Sequence, residues 1–216
     1  MPEIDITYIF IVIVVVLLSM TIHEAMHAFT SDWLGDDTAR LKGRLTLNPL
    51  AHIDPVFTLL LPVILAVIGA PIFGGAKPVP FNPSRVRFGD FGAALVAMAG
   101  PLTNLLLAFV AFGLYVVFGG AGITGLADII FSTTILVNIG FFVFNTLPIP
   151  PLDGSRVLYA LAPDTARRVM ELIERYGILF VFIVVMLFSQ QISSLMRAVI
   201  QAILEVFSAV FGVRVL

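Results

Sequence analysis

Residues 6–31 read ITYIFIVIVVVLLSMTIHEAMHAFTS, a run whose only charged side chain is Glu24. No glycine or proline interrupts it, and Asp32 follows it. The expectation is one helix about 39 Å long at ~1.5 Å per residue, which outreaches the roughly 30 Å hydrocarbon core of a bilayer. The rest of the chain agrees with that reading. Of its 216 residues 59% are hydrophobic and only 12% charged, against about 25% charged in a soluble domain, and the mean hydropathy is +1.06. The class expected is an integral membrane protein, a single domain with no appended soluble module. A net charge of −2 without any basic run gives no footing for nucleic acid. The absence of cysteine excludes a disulfide framework and thiol catalysis. The leader Met1-Pro2-Glu3-Ile4-Asp5 is acidic where a signal peptide is basic, so the first stretch reads as a retained span.

Outward from that helix, a polar loop (Asp36, Asp37, Arg40, Lys42, Arg44, Asn48-Pro49) contains a stretch, Arg40 to Leu47, that alternates well enough for a short strand. Val56 to Phe73 is apolar but short and is interrupted by Pro62 and Pro71. Gly74 to Pro83 holds too many prolines for a helix and reads as extended edge-type chain. Phe91–Phe118 is the second clear span and Ile129–Leu147 the third, which stops at Pro148-Ile149-Pro150-Pro151. Arg156–Arg175 reads as a polar loop holding a short helix, and Tyr176–Phe188 as a fourth, short span. From Ser193, the residues Ser193, Arg197, Gln201 and Glu205 recur every four positions, one polar stripe on a helix. That stripe fits a helix lying in the interface, or one packed with Arg197 and Glu205 toward protein or water. The loops at 32–55, 74–90 and 152–177 hold ten of the twelve basic residues. The positive-inside rule places them in the cytoplasm and the N-terminus outside, in the cell membrane. Two consecutive loops then share a side, so 56–73 is expected to be re-entrant. The fold class is thus all-α and polytopic: a three-helix catalytic core plus a re-entrant segment, short membrane-associated β strands and C-terminal helices. Residues 1–154 would form the core and 155–216 a helical region packed on it.

The chemistry begins with His23-Glu24-Ala25-Met26-His27, an H-E-x-x-H pattern. The i, i+4 spacing sets two imidazoles on one helix face, as two ligands of a tetrahedral metal require. The glutamate after the first histidine sits where a general base is needed. Satisfied core histidines would be the bland reading, but each ionisable group mid-helix in lipid costs roughly 2.5–3.5 kcal/mol. Three within five residues point to metal. A third ligand is expected from Asp153, because Pro148, Pro150 and Pro151 break the helix and Gly154 permits a turn that aims the carboxylate inward. An ordinary solvated helix stop is the alternative. Asn104, in Gly100-Pro101-Leu102-Thr103-Asn104, is an amide inside an apolar span and a candidate oxyanion donor, though Gly100-Pro101 could simply be a close-packed kink. Asn145 has the same two readings, with capping of freed carbonyls the better one. His52 is expected to brace the re-entrant segment rather than bind metal.

Five elements carry a family resemblance: His23 to His27; Gly43-Arg44-Leu45-Thr46-Leu47-Asn48-Pro49; Ala76-Lys77-Pro78-Val79-Pro80; Gly100 to Asn104; and Leu147-Pro148-Ile149-Pro150-Pro151-Leu152-Asp153-Gly154. Together they resemble the site-2 protease family of intramembrane metalloproteases, in its compact branch without PDZ or CBS domains. The resemblance implies one zinc ion held by His23, His27 and Asp153, with Glu24 as general base. It also implies transmembrane proteins or peptides as substrates, cut within or near the bilayer. Such a reaction needs a polar cavity open to the cytoplasm near Asp32 and an unwound substrate, for which an exposed strand in Arg40–Leu47 or Lys77–Arg87 offers strand addition. The rival expectation is a metal or proton transporter using the same buried ligands.

Overall fold

A computed structural model describes residues 6–60, 64 and 75–213. The described residues are helical, joined by turns and extended chain: α1 (Ile6–Trp33), α2 (Thr38–Leu41), α3 (Gly89–Val117), α4 (Leu126–Asn145), α5 (Gly154–Leu161), α6 (Asp164–Tyr176), α7 (Ile178–Leu187) and α8 (Ser189–Phe211). Four of these, α1, α3, α4 and α8, are long and apolar enough to cross a membrane. The polar stretch expected to hold one short helix contains two, α5 and α6. α7, with 10 residues, is too short to span and leads through Phe188 into α8.

The centre of the bundle is α3, which packs on α1, α4, α5 and α8. Its buried side is made of small residues (Gly92, Ala93, Ala97, Gly100, Ala108, Ala111), so neighbouring backbones approach closely. Pro101 sits inside the helix without ending it. Around Phe112, Ile135 and Ile139 the core is closed by α8, whose Phe207 and Phe211 meet Phe109 and Phe112 at ring-centroid distances of 5.1–5.8 Å. Arg197, Gln201 and Glu205 lie on the exposed face of α8, and Gln201 Nε2 donates to Glu205 Oε1 at 3.1 Å.

One expectation meets a different outcome. Among the described residues no strand forms. Residues 40 and 41 belong to the helical turn α2, Gly43 takes φ +67°, and residues 75–82 have no regular structure, with Lys77 N–H donating to the His52 carbonyl at 2.9 Å. The alternation at 40–47 is overridden by the turn that Asp36 and Thr38 nucleate, and Pro78 and Pro80 bring no N–H to a ladder. The re-entrant segment expected at 56–73 falls mostly outside the described residues. Its flanks do meet, since Thr58 Oγ1 donates to the Gly75 carbonyl at 2.7 Å.

At the same end of the bundle, Asp36 joins the loop after α1 to the chain before α3. Fully buried, it accepts the Thr38 N–H (3.1 Å) and hydroxyl (2.5 Å) on Oδ1 and the Asn82 N–H (2.6 Å) on Oδ2. Arg87 N–H donates to the Leu34 carbonyl close by, at 2.9 Å. Burial pushes the Asp36 carboxyl up. The hydrogen bonds from Thr38 and Asn82, with the Arg85 charge, outweigh it and hold the group below the usual carboxylate range. A depressed folded value contributes stability that is present above the unfolded pKa and lost as pH falls through the folded one. Asp36→Asn should therefore lower stability by about 1–3 kcal/mol near neutral pH and make melting less acid-sensitive below about pH 4. Parallel wild-type and variant acid limbs in thermal melts would refute this.

Candidate active site

The fold brings His23, His27 and Asp153 together. His23 Nε2 lies 3.0 Å from His27 Nε2 and 3.1 Å from Asp153 Oδ2, and His27 Nε2 is 3.5 Å from the same oxygen. Each histidine is oriented through its other nitrogen. His23 Nδ1–H donates to Asn104 Oδ1 at 2.5 Å, and His27 Nδ1–H to the Val96 carbonyl at 2.8 Å. With both protons on Nδ1, both Nε2 lone pairs face the Asp153 carboxylate. Three lone-pair atoms converging without a proton between them repel one another unless a cation sits among them. Their spacing suits zinc, whose ligand atoms at 2.0–2.1 Å in a tetrahedron stand about 3.3–3.4 Å apart. Space beside them depends on Gly100. A Cβ there would stand 2.5 Å from His27 Nε2 and 2.7 Å from His23 Nε2.

Asp153 arrives by a tight return of the chain after α4. The Thr146 carbonyl lies where a Cβ on Gly154 would be, at 2.2 Å, so only glycine admits this approach. Ser155 Oγ secures the turn on the Leu152 carbonyl at 2.7 Å. Glu24, half-buried, accepts the Val79 N–H on Oε2 at 3.0 Å. The metal cluster and Glu24 face one cavity of about 730 Å³. Its walls are apolar spans on one side and residues 75–81 on the other, and Arg156 and Glu174, ion-paired to each other, stand at the polar-loop end.

Asn104 sits elsewhere than an oxyanion donor would. Fully buried, it spends its NH₂ on Asn138 Oδ1 (2.8 Å) and the Ser19 carbonyl (3.4 Å), and its oxygen on His23. Asn138 is fixed in turn by donating to Ser19 Oγ (2.9 Å) and the Thr134 carbonyl (2.8 Å). Asn145 lines the cavity, with Nδ2 on the Phe141 carbonyl at 3.0 Å. His52 lies apart from the metal cluster, completely buried. It donates through Nε2 to the Thr46 carbonyl at 2.9 Å and meets Arg44 Nη2 at 3.4 Å. Two contributors escaped the sequence reading. Asn138 carries the signal that singled out Asn104, an amide within an apolar span. Val79 carries a subtler one, as the sole backbone donor between two prolines.

The profile of Peptidase family M50 matches residues 121–189. The chain is 39% identical over 207 residues to YwhC of Bacillus subtilis, named as a candidate zinc metalloprotease, covering 92% of this chain and 91% of that one. It is 34% identical over 173 residues to Rip2 of Mycolicibacterium smegmatis, named in the same way, covering 77% of this chain and 63% of that one. No solved structure matches the chain. With four apolar spans and a His₂Asp cluster, the molecule is an integral membrane metallopeptidase with zinc as its cofactor. It belongs to peptidase family M50, the site-2 proteases.

Proposed function

We propose that the protein is an intramembrane-cleaving zinc endopeptidase, hydrolysing peptide bonds of transmembrane-helix substrates within or near the bilayer. One observation carries this reading. Glu24 and the His23–His27–Asp153 cluster face a cavity walled by apolar helices long enough to span a membrane. A peptide that reaches them must leave bulk water.

His23, His27 and Asp153 would hold the zinc, which when bound supplies Lewis acidity for activating water and stabilising a developing oxyanion. Glu24 takes the proton of the attacking water and returns it to the leaving amine. The Val79 N–H holds the Glu24 carboxylate at the cavity wall. Asn104 acts as a positioning residue, keeping the His23 proton on Nδ1. Of the two amides weighed as oxyanion donors, Asn145 is the one that lines the cavity. Gly75, Ala76 and Pro78 to Phe81 line it in non-helical chain and are the wall beside which an unwound substrate would lie.

The proposed orientation has the N-terminus outside and the cavity mouth toward the cytoplasm of the cell. The basic loops at 32–55, 74–90 and 152–177 support it. The transporter alternative has no observation in its favour.

Glu24→Gln should keep the metal and lose about 10²–10⁴-fold in cleavage rate. In cells, fragments of membrane proteins with new termini on the cytoplasmic side should accumulate with wild type and not with Glu24→Gln. Identical fragment sets in both strains would remove the reading.

A further inference from the structure

Behind the wall formed by residues 77–80 lies a second concavity, of about 350 Å³, lined by Lys42, Arg44, Lys77, Pro78 and Pro80. Three of its five lining residues are cations and none is an acid. The nearby loop acids are otherwise engaged: Asp32 pairs with Arg40 at 2.5 Å, Asp37 with Arg85, and Asp36 accepts from Thr38 and Asn82. Among the described residues, Lys42, Arg44 and Lys77 have no carboxylate within ion-pair distance.

Arg44 is the unusual member. Only 7% exposed, it donates through Nη2 to the Lys77 carbonyl at 2.5 Å, while its buried Nε has no hydrogen-bond partner. The Glu24 charge acts on Arg44 without pairing with it, and a guanidinium at this depth with a free donor and two ammonium neighbours is costly unless an anion contacts it. Lys42 and Lys77 are exposed and free to turn toward such an anion. Charge chooses the anion. One carboxylate cancels a single charge of three through two oxygens; free phosphate or a monoester carries up to two charges, and a lipid phosphodiester, with one, still offers a tetrahedral set of acceptor oxygens to the three donors. Location agrees. The site is at the end of the bundle where α1 stops at Trp33, the only tryptophan, 75% exposed, a residue favoured at headgroup depth. Basic pockets at that level suit phosphate headgroups.

We propose that this concavity binds a phosphate group on Lys42, Arg44 and Lys77, carried by an anionic lipid headgroup or free in solution. Occupancy has a consequence for the cavity in front. Pro78 and Pro80 line both spaces, and Val79 between them donates to Glu24. A phosphate bridging Lys42 to Lys77 steadies the segment that holds the Glu24 carboxylate.

The test is thermal melting of the full-length, zinc-loaded protein. In detergent it is titrated with inorganic phosphate, with glycerol 3-phosphate and with a short polyglutamate peptide, against chloride at matched ionic strength. In phosphatidylcholine nanodiscs it is compared with and without phosphatidylglycerol. The expected result is saturable stabilisation by a phosphate probe, weakened about tenfold or more in Lys42→Gln/Lys77→Gln. Stabilisation by phosphatidylglycerol alone assigns the phosphate to lipid, and equal response to the soluble probes assigns it to solution. Lys42→Gln alone, at an exposed side chain, gives the same reading with weaker loss should the double variant fold poorly. An effect that chloride reproduces, that both proteins share, or that the polyglutamate peptide produces more strongly than phosphate overturns the proposal.

Discussion

Purified Asp153→Ala should carry no zinc and have no activity, while His52→Ala keeps its zinc. Charge and geometry give the same answer. Two neutral imidazoles leave a divalent ion its full charge among apolar helices, where low dielectric magnifies it; a carboxylate cancels half. The Asp153 oxygen is 3.1 and 3.5 Å from the two imidazole nitrogens. Both ring nitrogens of His52 are committed, to the Thr46 carbonyl and to Arg44. Loss of Asp153 should exceed the about 10–100-fold weakening that follows changes to outer partners of a metal site. Zinc per chain, measured by elemental analysis after gel filtration, decides it. An empty His52→Ala protein beside a loaded Asp153→Ala one would reverse the assignment.

Gly100→Ala should be nearly as damaging, although it adds one methyl group and favours the helix locally. That methyl would stand 2.5 and 2.7 Å from the two Nε2 atoms meant for the metal. Neither partner can give way cheaply. The imidazoles are pinned by Asn104 and Val96, and the backbone of α3 is packed against α1. The variant should stay helical by circular dichroism and lose its zinc. Gly140→Ala, at a glycine with nothing within 4 Å of the added carbon, serves as the matched control and should keep its zinc. Wild-type zinc content in Gly100→Ala would mean that the ligands sit farther from α3 than described.

The first three spans were legible, because lipid leaves a sequence little choice; the fourth was not, since Tyr176–Phe188 yields only the ten-residue α7 and the fourth long apolar helix is α8, whose polar stripe had pointed to the interface. Ile6–Ser31 became Ile6–Trp33, Phe91–Phe118 became Gly89–Val117, and Ile129–Leu147 became Leu126–Asn145. The convergence of His23, His27 and Asp153 was legible for a related reason, as each stands out chemically in an apolar setting. The loops were not. Alternation over Arg40–Leu47 looked like a strand, but a strand needs a partner, and two prolines at 78 and 80 deny it one. The grip of Val79 on Glu24 links residues 55 positions apart, and the flanking prolines that single out its N–H do not say which acceptor it meets. Asn104 was visible as an amide in need of a partner. Which partner it takes depends on how α1 and α4 are rotated against α3, and that is decided by packing.

The chain of bonds from His23 through Asn104 and Asn138 to Ser19 crosses α1, α3 and α4 and returns to α1. Each link is an oriented bond between buried groups, so none of these helices can slide or roll without breaking at least one of them in a setting that offers little water as a substitute. Metal occupancy and helix register are therefore thermodynamically linked. A zinc ion held on His23, as proposed, would also tighten the alignment of the bundle, and its chelation should loosen all three spans at once. Bound there, the ion would be a keystone for the assembly as well as a reagent within it.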